Sequence, residues 1–548
     1  MGFVSLGCPK NLVDSEVMMG LLDRAGARIT ARPEDAEILV VNTCSFIDTA
    51  KQESVDAILE MARHKTEGRA RKLIVAGCLV ERYRDEIQKN IPEVDAVVGT
   101  GELESILEAA GLEAGVPQVP GVPGERSLLA GVEAPHLGPG NVPTPPSPFT
   151  ILTSTHAEVR SGKESQSGTH KSPVKGTGFS PYVTEPKSNG ALAPEGTEPR
   201  SRPEGDHRER SGRFLRDAWA GASSAPPTYL YDDTTPRLLS TPRASAYIKI
   251  AEGCDHPCTF CVIPNLRGKF RSRRFESVIA EAEQLVARGV SEITLIGQDT
   301  TCYGEDRGLR DGLATLLDRL ARIEGLRWLR FLYAYPNRIT GRLLETVAAH
   351  DNICKYLDLP LQHASPDVLK RMKRGASADI FLKTLAKVRA AVPGIALRTS
   401  FIVGFPGESL RDFEVLEEFI KEARFDWLGV FSYSHEEGSA AYALDGQVPQ
   451  RTIESRRKRL MKLQQAISRR AKRNWVGREL TLLAEGPSAE TPLLWEGRTE
   501  FHAPEIDGKV FINDFGPLTD LEPGRFYRAQ ITESHDYDLV ARILAAES

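Results

Sequence analysis

Short apolar runs alternate with helix-length amphipathic stretches in two separate parts of the chain. From residue 1 to about 116 the runs are Phe3-Val4-Ser5-Leu6, Ile38-Leu39-Val40-Val41, Leu73-Ile74-Val75-Ala76 and Ala96-Val97-Val98, and the gaps hold helical stretches such as Ser15 to Ala25. Runs this short and continuously apolar predict strands buried on both faces. Their alternation with helices predicts a βαβ domain with a parallel sheet over 1–116. The pattern returns from Tyr247 to about 445, with runs at Tyr247 to Ile250, Glu292 to Ile296, Trp328 to Leu332, Lys355 to Leu359, Ala396 to Val403 and Trp427 to Phe431. Six strands with interleaved helices predict a partial (β/α) barrel, whose ligands sit at the C-terminal ends of the strands. Arg451 to Asn474 reads as a basic helix that completes a 244–474 unit. From Trp475 to the end, short runs at Leu480 to Leu483, Val510 to Ile512, Phe526 to Ile531 and Leu539 to Leu544 lie between close Gly and Pro turns. This predicts a small β-barrel over 475–548.

Residues 117–243 break the pattern. They hold 19 of the chain's 35 prolines and no cysteine, and stretches such as Gly162 to Gly168 are nearly all small or polar. Such a segment buries too little apolar surface to offset its ordering entropy and is expected to be a disordered, dispensable insertion. Its 14 basic and 13 acidic residues nearly cancel, so it is neither an acidic tail nor a nucleic-acid arm. Trp219, Tyr229 and Tyr231, near its end, are the side chains able to dock on a neighbour.

Charge excludes some roles. The net charge of -5 over 548 residues gives no global basic field for holding a polyanion. Locally, the 451–474 helix carries ten Lys or Arg against the single acid Glu454, while the tail from 475 carries 6 basic and 14 acidic residues. An acidic tail module repels phosphates and favours a basic protein partner; the basic helix could touch RNA, balance that module or simply face solvent. The chain has no apolar run of about 18 residues, and MGFVSLGCPK lacks the regions of a secretory signal. The expected location is the cytosol, without a membrane.

Eight cysteines in a cytosolic chain point to metal or redox chemistry rather than disulfides. Cys254-Asp-His-Pro-Cys258-Thr-Phe-Cys261 follows the first barrel strand directly. Three thiolates at this spacing wrap three irons of a cubane cluster and leave the fourth open to a small molecule. The alternative is a zinc site completed by His256, which would be cramped and closed at the mouth of a barrel. Cys8, Cys44 and Cys78 each follow a predicted strand of the N-terminal sheet, so all three stand at its C-terminal edge and can converge on a second cluster with an open iron. Three unrelated buried thiols are the alternative. Cys302 and Cys354 fit neither pattern and read as ordinary barrel residues.

The C-x3-C-x-aromatic-C loop after the first barrel strand resembles the signature of the radical S-adenosylmethionine superfamily. Two three-cysteine sets with a terminal β-barrel resemble, more narrowly, the methylthiotransferases, with an N-terminal domain, a (β/α)6 radical barrel and a TRAM domain. Val4-Ser-Leu-Gly-Cys-Pro-Lys-Asn-Leu-Val-Asp-Ser-Glu16 is similar to the RimO branch, whose substrate is an aspartate of small-subunit ribosomal protein twelve; the transfer-RNA branch usually has a Tyr-Gly-Cys-Gln-Met-Asn type of sequence there. Further matches are Ile263-Pro-Asn-Leu-Arg-Gly268, Ile296-Gly-Gln-Asp-Thr-Thr-Cys-Tyr-Gly304, Leu357-Asp-Leu-Pro-Leu-Gln-His-Ala-Ser365 and Arg398-Thr-Ser-Phe-Ile-Val-Gly-Phe-Pro-Gly-Glu408. The family normally joins its first two domains by a far shorter connection than 117–243.

The resemblance implies two 4Fe-4S clusters, one on Cys8, Cys44 and Cys78 and one on Cys254, Cys258 and Cys261, with S-adenosylmethionine bound at the latter. It implies Phe260 against the adenine, and Gln298, Arg398 and Ser400 as further contacts to S-adenosylmethionine. One S-adenosylmethionine would give its methyl group to sulfur at the N-terminal cluster, and a second would be cleaved to a radical that abstracts a hydrogen from the aspartate β-carbon. That hydrogen is not acidic enough for an ordinary general base, so no conventional acid–base residue is assigned and an electron donor is required. The rival readings are a transfer-RNA methylthiotransferase with the same cofactors and a non-catalytic zinc- and RNA-binding protein.

Overall fold

The computed structural model describes residues 1–112, 229–489, 491 and 493–547. Strands β1 (Gly2–Ser5), β2 (Ile38–Thr43), β3 (Lys72–Gly77) and β4 (Ala96–Val98) form one parallel sheet in that order. Helices α1 (Pro9–Arg24), α2 (Asp48–Thr66) and α3 (Cys78–Asn90) make the crossovers. Val40, Ile74 and Ala76 pack against the Val13 and Val17 side of α1, while Leu39, Val41 and Val75 pack against Val55 and Ile58 of α2. Both faces are covered, which is why the strands read as continuous apolar runs rather than alternating ones.

The barrel strands are β5 (Ser245–Lys249), β8 (Glu292–Ile296), β9 (Trp328–Phe331), β10 (Tyr356–Asp358), β11 (Ala396–Val403) and β12 (Trp427–Ser432), with the two-residue strands β6 (Ala251–Glu252) and β7 (Arg271–Ser272) paired beside them. The six are parallel; β5-β8-β9 and β10-β11-β12 form two sheets joined through the Leu329–Ile353 bridge. Ile248, Leu295, Leu329, Leu357, Phe401 and Val430 point outward to the helices. The intervening positions Lys249, Thr294, Arg330, Asp358, Arg398 and Ser400 therefore face the lumen. The C-terminal module is a closed barrel, β13 (Glu479–Pro487), β14 (Trp495–Arg498), β15 (Val510–Asp514), β17 (Leu539–Ala546) and β16 (Phe526–Ser534). Among the described residues no helix is long and apolar enough to cross a membrane.

One sequence expectation changes. The segment read as insertion through 243 is ordered from 229 onward: Tyr231 is 2% exposed, its hydroxyl meets Glu281, and Arg237 bridges Glu16 of α1 and Glu281 at 2.5 and 2.7 Å. These fifteen residues strap the N-terminal domain to the barrel, because the two carboxylates and the buried seat of Tyr231 outweigh their Pro content. The rest of that expectation, including Trp219, lies outside the described residues. The basic helix, Gln450–Lys472, keeps most of its basic residues exposed, as a solvent-facing helix would, while Ile453 and Leu460 are buried against the barrel, Arg456 pairs with Glu408, Arg459 with Glu417 and Arg469 with Asp536 of the acidic module.

One apolar cluster runs through all the domains. It joins Val17 and Val40 to Tyr247, Trp328 and Tyr356 in the lumen and to Phe501 and Phe526 of the small barrel. The small barrel closes the lumen floor: Arg498 donates to Glu292 at 2.6 Å, Trp427 to the Phe501 carbonyl at 2.8 Å, and Tyr356 to Asp507 at 2.7 Å. Part of its acidic surplus is thus neutralised by barrel and helix arginines, Arg398, Arg327 and Arg469.

Candidate functional site

Three of the six candidate cysteines follow a glycine with positive φ: Gly7 (+92°), Gly77 (+93°) and Gly253 (+81°). A left-handed residue ends a strand abruptly and re-aims the next side chain, which only glycine does without strain. Cys8 thereby becomes the cap of α1 and Cys78 the first residue of α3. A Cβ on Gly7 would stand 2.8 Å from the Cys44 Cβ, so the β1 and β2 ends are in contact; Ser54 of α2 pins the Cys44 backbone at 3.0 Å. Burial pushes the Cys44 and Cys78 thiols up, and the nearest like groups acting in the same direction are the other cysteines of the set. The three strand-end cysteines do converge.

In the barrel loop burial raises Cys254 to about 11 and Cys261 to about 12, again with the neighbouring cysteines adding to the rise. Neighbouring cysteines whose thiols are pushed up in this way, Cys44 with Cys78 and Cys254 with Cys261, need a multivalent cation to become thiolates together. Zinc does not fit. Two sulfurs on one zinc lie at most about 4.6 Å apart, twice a Zn–S bond of about 2.3 Å. Neither triad has all its sulfurs within 4.8 Å of one another; among the described residues the only such group of His, Cys and acidic atoms is His256, Asp299 and Cys302. A cubane carries its thiolates on different irons and suits wider sets. His256, the expected fourth zinc ligand, is instead held by Asp299 at 2.6 Å and stacked on Tyr335 at 3.9 Å, and Asp299 is further occupied by Thr301 and by the Cys302 thiol at 3.0 Å.

Each triad meets one guanidinium. Arg267, 2% exposed, reaches the Cys78 sulfur at 3.4 Å and also binds Asn11 at 2.7 Å, Asp14 at 2.7 Å and Glu252 at 3.1 Å. Lys249 completes this cluster between Asp14 and Glu252. Arg374 reaches the Cys258 sulfur at 3.6 Å and lies over the Tyr335 ring. Arg267 ends the short helix that follows the barrel cysteine loop, so a barrel residue completes the surroundings of the N-terminal triad.

The expected contacts to S-adenosylmethionine are dispersed. Phe260 is half-buried against the cluster of Val368, Met372, Phe405 and Tyr433. Gln298 donates to Glu252 at 2.5 Å and keeps a buried, unpartnered Oε1. Arg398 and Ser400 share the lumen face of β11, but Arg398 turns toward the floor, to Asp358 at 2.8 Å and Asp507 at 3.5 Å.

Residues without an assigned role in the sequence are prominent here. Arg267 and Lys10 both lie inside quoted motifs, and Lys249 occupies an inward position of β5 among apolar neighbours, where a charge is itself a signal of a polar lumen. Lys10 is 9% exposed; its ammonium stands 3.4 Å above the Tyr333 ring and 3.4 Å from the Gly297 carbonyl.

A parallel cysteine-edged sheet, a six-stranded barrel with a C-x3-C-x2-C loop and a small closed barrel define a radical S-adenosylmethionine enzyme of methylthiotransferase architecture. Three family descriptions match in that order: Uncharacterized protein family UPF0004 over residues 1–99, the Radical SAM superfamily over 248–420 and the TRAM domain over 476–544. Ribosomal protein uS12 methylthiotransferase RimO of Koribacter versatilis is 61% identical over 546 residues, covering 99% of this chain and 96% of the relative. Proteins of the same name are 50% identical in Solibacter usitatus, covering 100% of this chain and 95% of the relative, and 40% identical in Trichlorobacter lovleyi, covering 99% and 98%. The chain belongs to the RimO methylthiotransferase family. S-adenosylmethionine and four-iron clusters are the cofactors of that family, as the sequence resemblance implied.

Proposed function

We propose that this chain attaches a methylthio group to the β-carbon of an aspartate in small-subunit ribosomal protein twelve. Cys254, Cys258 and Cys261 hold the cluster at which S-adenosylmethionine binds, and Cys8, Cys44 and Cys78 hold the second. When bound, these groups supply a carbon-centred radical and an activated sulfur. The chain's own part is placement: the 229–243 strap, the Arg267 cluster and the shared apolar core hold the N-terminal sheet against the barrel. Phe260, Gln298 and Ser400 remain the candidate contacts to S-adenosylmethionine; Arg398, already committed to Asp358 and Asp507, is the weakest of the four. The limits 1–116, 244–474 and 475–548 belong to this reading, as do an external electron donor and a cytosolic location.

The observation that carries the proposal is Arg267, which ties a cysteine of one triad to the short helix that follows the loop carrying the other. The test is to reconstitute the protein anaerobically and supply reductant, S-adenosylmethionine and either the ribosomal protein or transfer RNA. Mass spectrometry should find methylthio aspartate and no methylthio nucleoside. Modification of transfer RNA alone would transfer the assignment to the other branch, and a colourless zinc protein would end it.

A further inference from the structure

Lys10 is a buried ammonium without a carboxylate within 4.0 Å among the described residues. The two acids that act on it are both committed elsewhere: Glu252 to Lys249, Arg267 and Gln298, and Asp358 to Arg398 and the Tyr333 amide. An ammonium has three hydrogens to give. The face of Tyr333 and one long contact to the Gly297 carbonyl serve it in part, which is a poor exchange for the hydration it has lost. Tyr333 is itself held at φ +61° just beyond the end of β9, a conformation unusual for a tyrosine, and this places its ring under Lys10. Cys8, the cap of the same helix, is two residues away. The unpaired cation thus stands where the N-terminal triad meets the C-terminal ends of the barrel strands.

We propose that Lys10 is a specificity-determining residue that receives the side-chain carboxylate of the aspartate to be modified. This inference rests on the reading under "Proposed function". The carboxylate of an aspartate is bonded to the β-carbon that reacts, so a single charge-assisted contact holds the group next to that carbon. It also explains how an enzyme can choose aspartate over asparagine, since a site built around a buried cation leaves that cation unpaired when the neutral side chain enters. S-adenosylmethionine carries a carboxylate too, but its expected place is at the barrel loop, whereas Lys10 adjoins Cys8.

The decisive experiment titrates the reconstituted holoenzyme with the purified ribosomal protein and with the same protein whose target aspartate is replaced by asparagine. The wild type should bind the aspartate form about tenfold to hundredfold more tightly. Lys10→Met, a near-isosteric neutral change, and Lys10→Gln should bind both forms alike and as weakly as the wild type binds the asparagine form, with iron content and affinity for S-adenosylmethionine kept. Undiminished discrimination in both variants overturns the inference, and so does a loss confined to S-adenosylmethionine affinity, which would assign Lys10 to the cofactor's carboxylate. If the wild type modifies the ribosomal protein while the variants keep discrimination, the inference alone fails. If the wild type modifies no ribosomal protein, the functional reading fails first and takes the inference with it.

Discussion

The two cysteine triads reach the same end by opposite routes. The barrel triad is local, three thiols within eight residues of one loop, so its geometry needs little beyond that loop and the strand before it. The N-terminal triad is assembled from the ends of β1, β2 and β3, 34 or more residues apart, and exists only when the sheet has formed. Their guanidinium partners differ in the same sense. Arg374 has a stacking ring and the Pro360 carbonyl; Arg267 is tied to both domains at once through Asp14 and Glu252. A local site tolerates damage elsewhere, whereas a dispersed one reports on the whole domain and on its docking.

The largest expected effect separates the triads outright. Replacing Cys254, Cys258 and Cys261 by Ala should remove about half the iron of a protein with two four-iron clusters and abolish reductive formation of 5'-deoxyadenosine. Replacing Cys8, Cys44 and Cys78 should remove a similar share, keep 5'-deoxyadenosine formation and abolish methylthio transfer. Methylthio product from the second variant would mean that the dispersed triad is not a sulfur site.

The glycines make a finer comparison. A Cβ on Gly77 would lie 2.3 Å from Asn42 Oδ1 and 2.6 Å from the Thr43 carbonyl, and one on Gly253 2.1 Å from the Lys269 carbonyl. With the positive φ, each Gly→Ala change should cost roughly 2–4 kcal/mol locally. Iron assays and 5'-deoxyadenosine yields should then split: Gly253→Ala loses radical formation, and Gly77→Ala keeps it while losing methylthio transfer. Equal losses in both assays for Gly77→Ala would show that the triads are not independent.

Much of this was legible from residues alone. The strand Glu292–Ile296 has the bounds its apolar run predicts, and Cys8, Cys44 and Cys78 each follow a strand of the N-terminal sheet while the Cys254 loop follows the first barrel strands, as read. Trp495–Arg498 was missed because Trp-Glu-Gly-Arg has no apolar run; it is a strand through pairing with β13 and β15. Of the 229–243 strap only the docking of Tyr229 and Tyr231 was legible, and Tyr231 does dock; the order of the rest was not, because composition reports what a segment can bury by itself, not what Glu16 and Glu281 offer it. Lys10, Lys249 and Arg267 were quoted without a role because a charge in a sequence reads as solvated until the fold buries it.

The smallest effect on either triad is expected at the barrel floor, which makes it the control for the comparison. Glu292 is fully buried; burial alone would raise its carboxyl, but Arg498, at 2.6 Å, with Arg330 and Ser245 brings it down to about 2. A folded-state value below the ordinary carboxylate range means that the stabilisation is complete above about pH 4.5 and is lost as pH falls toward 2. The amount is of order 3 kcal/mol. Melting of the iron-free protein should therefore fall as pH drops from about 4.5 toward 2. Glu292→Gln should melt lower at pH 7, since it leaves buried Arg330 without its carboxylate and Arg498 with Glu485 alone, yet show a shallower acid slope. Loaded at pH 7, it should keep the iron of both triads, because the floor lies at the opposite end of the strands from Cys8, Cys44, Cys78 and the Cys254 loop. Selective loss of the N-terminal iron in this variant would show that the dispersed triad depends on the small barrel as well, and that its reach across the molecule is longer than its own sheet.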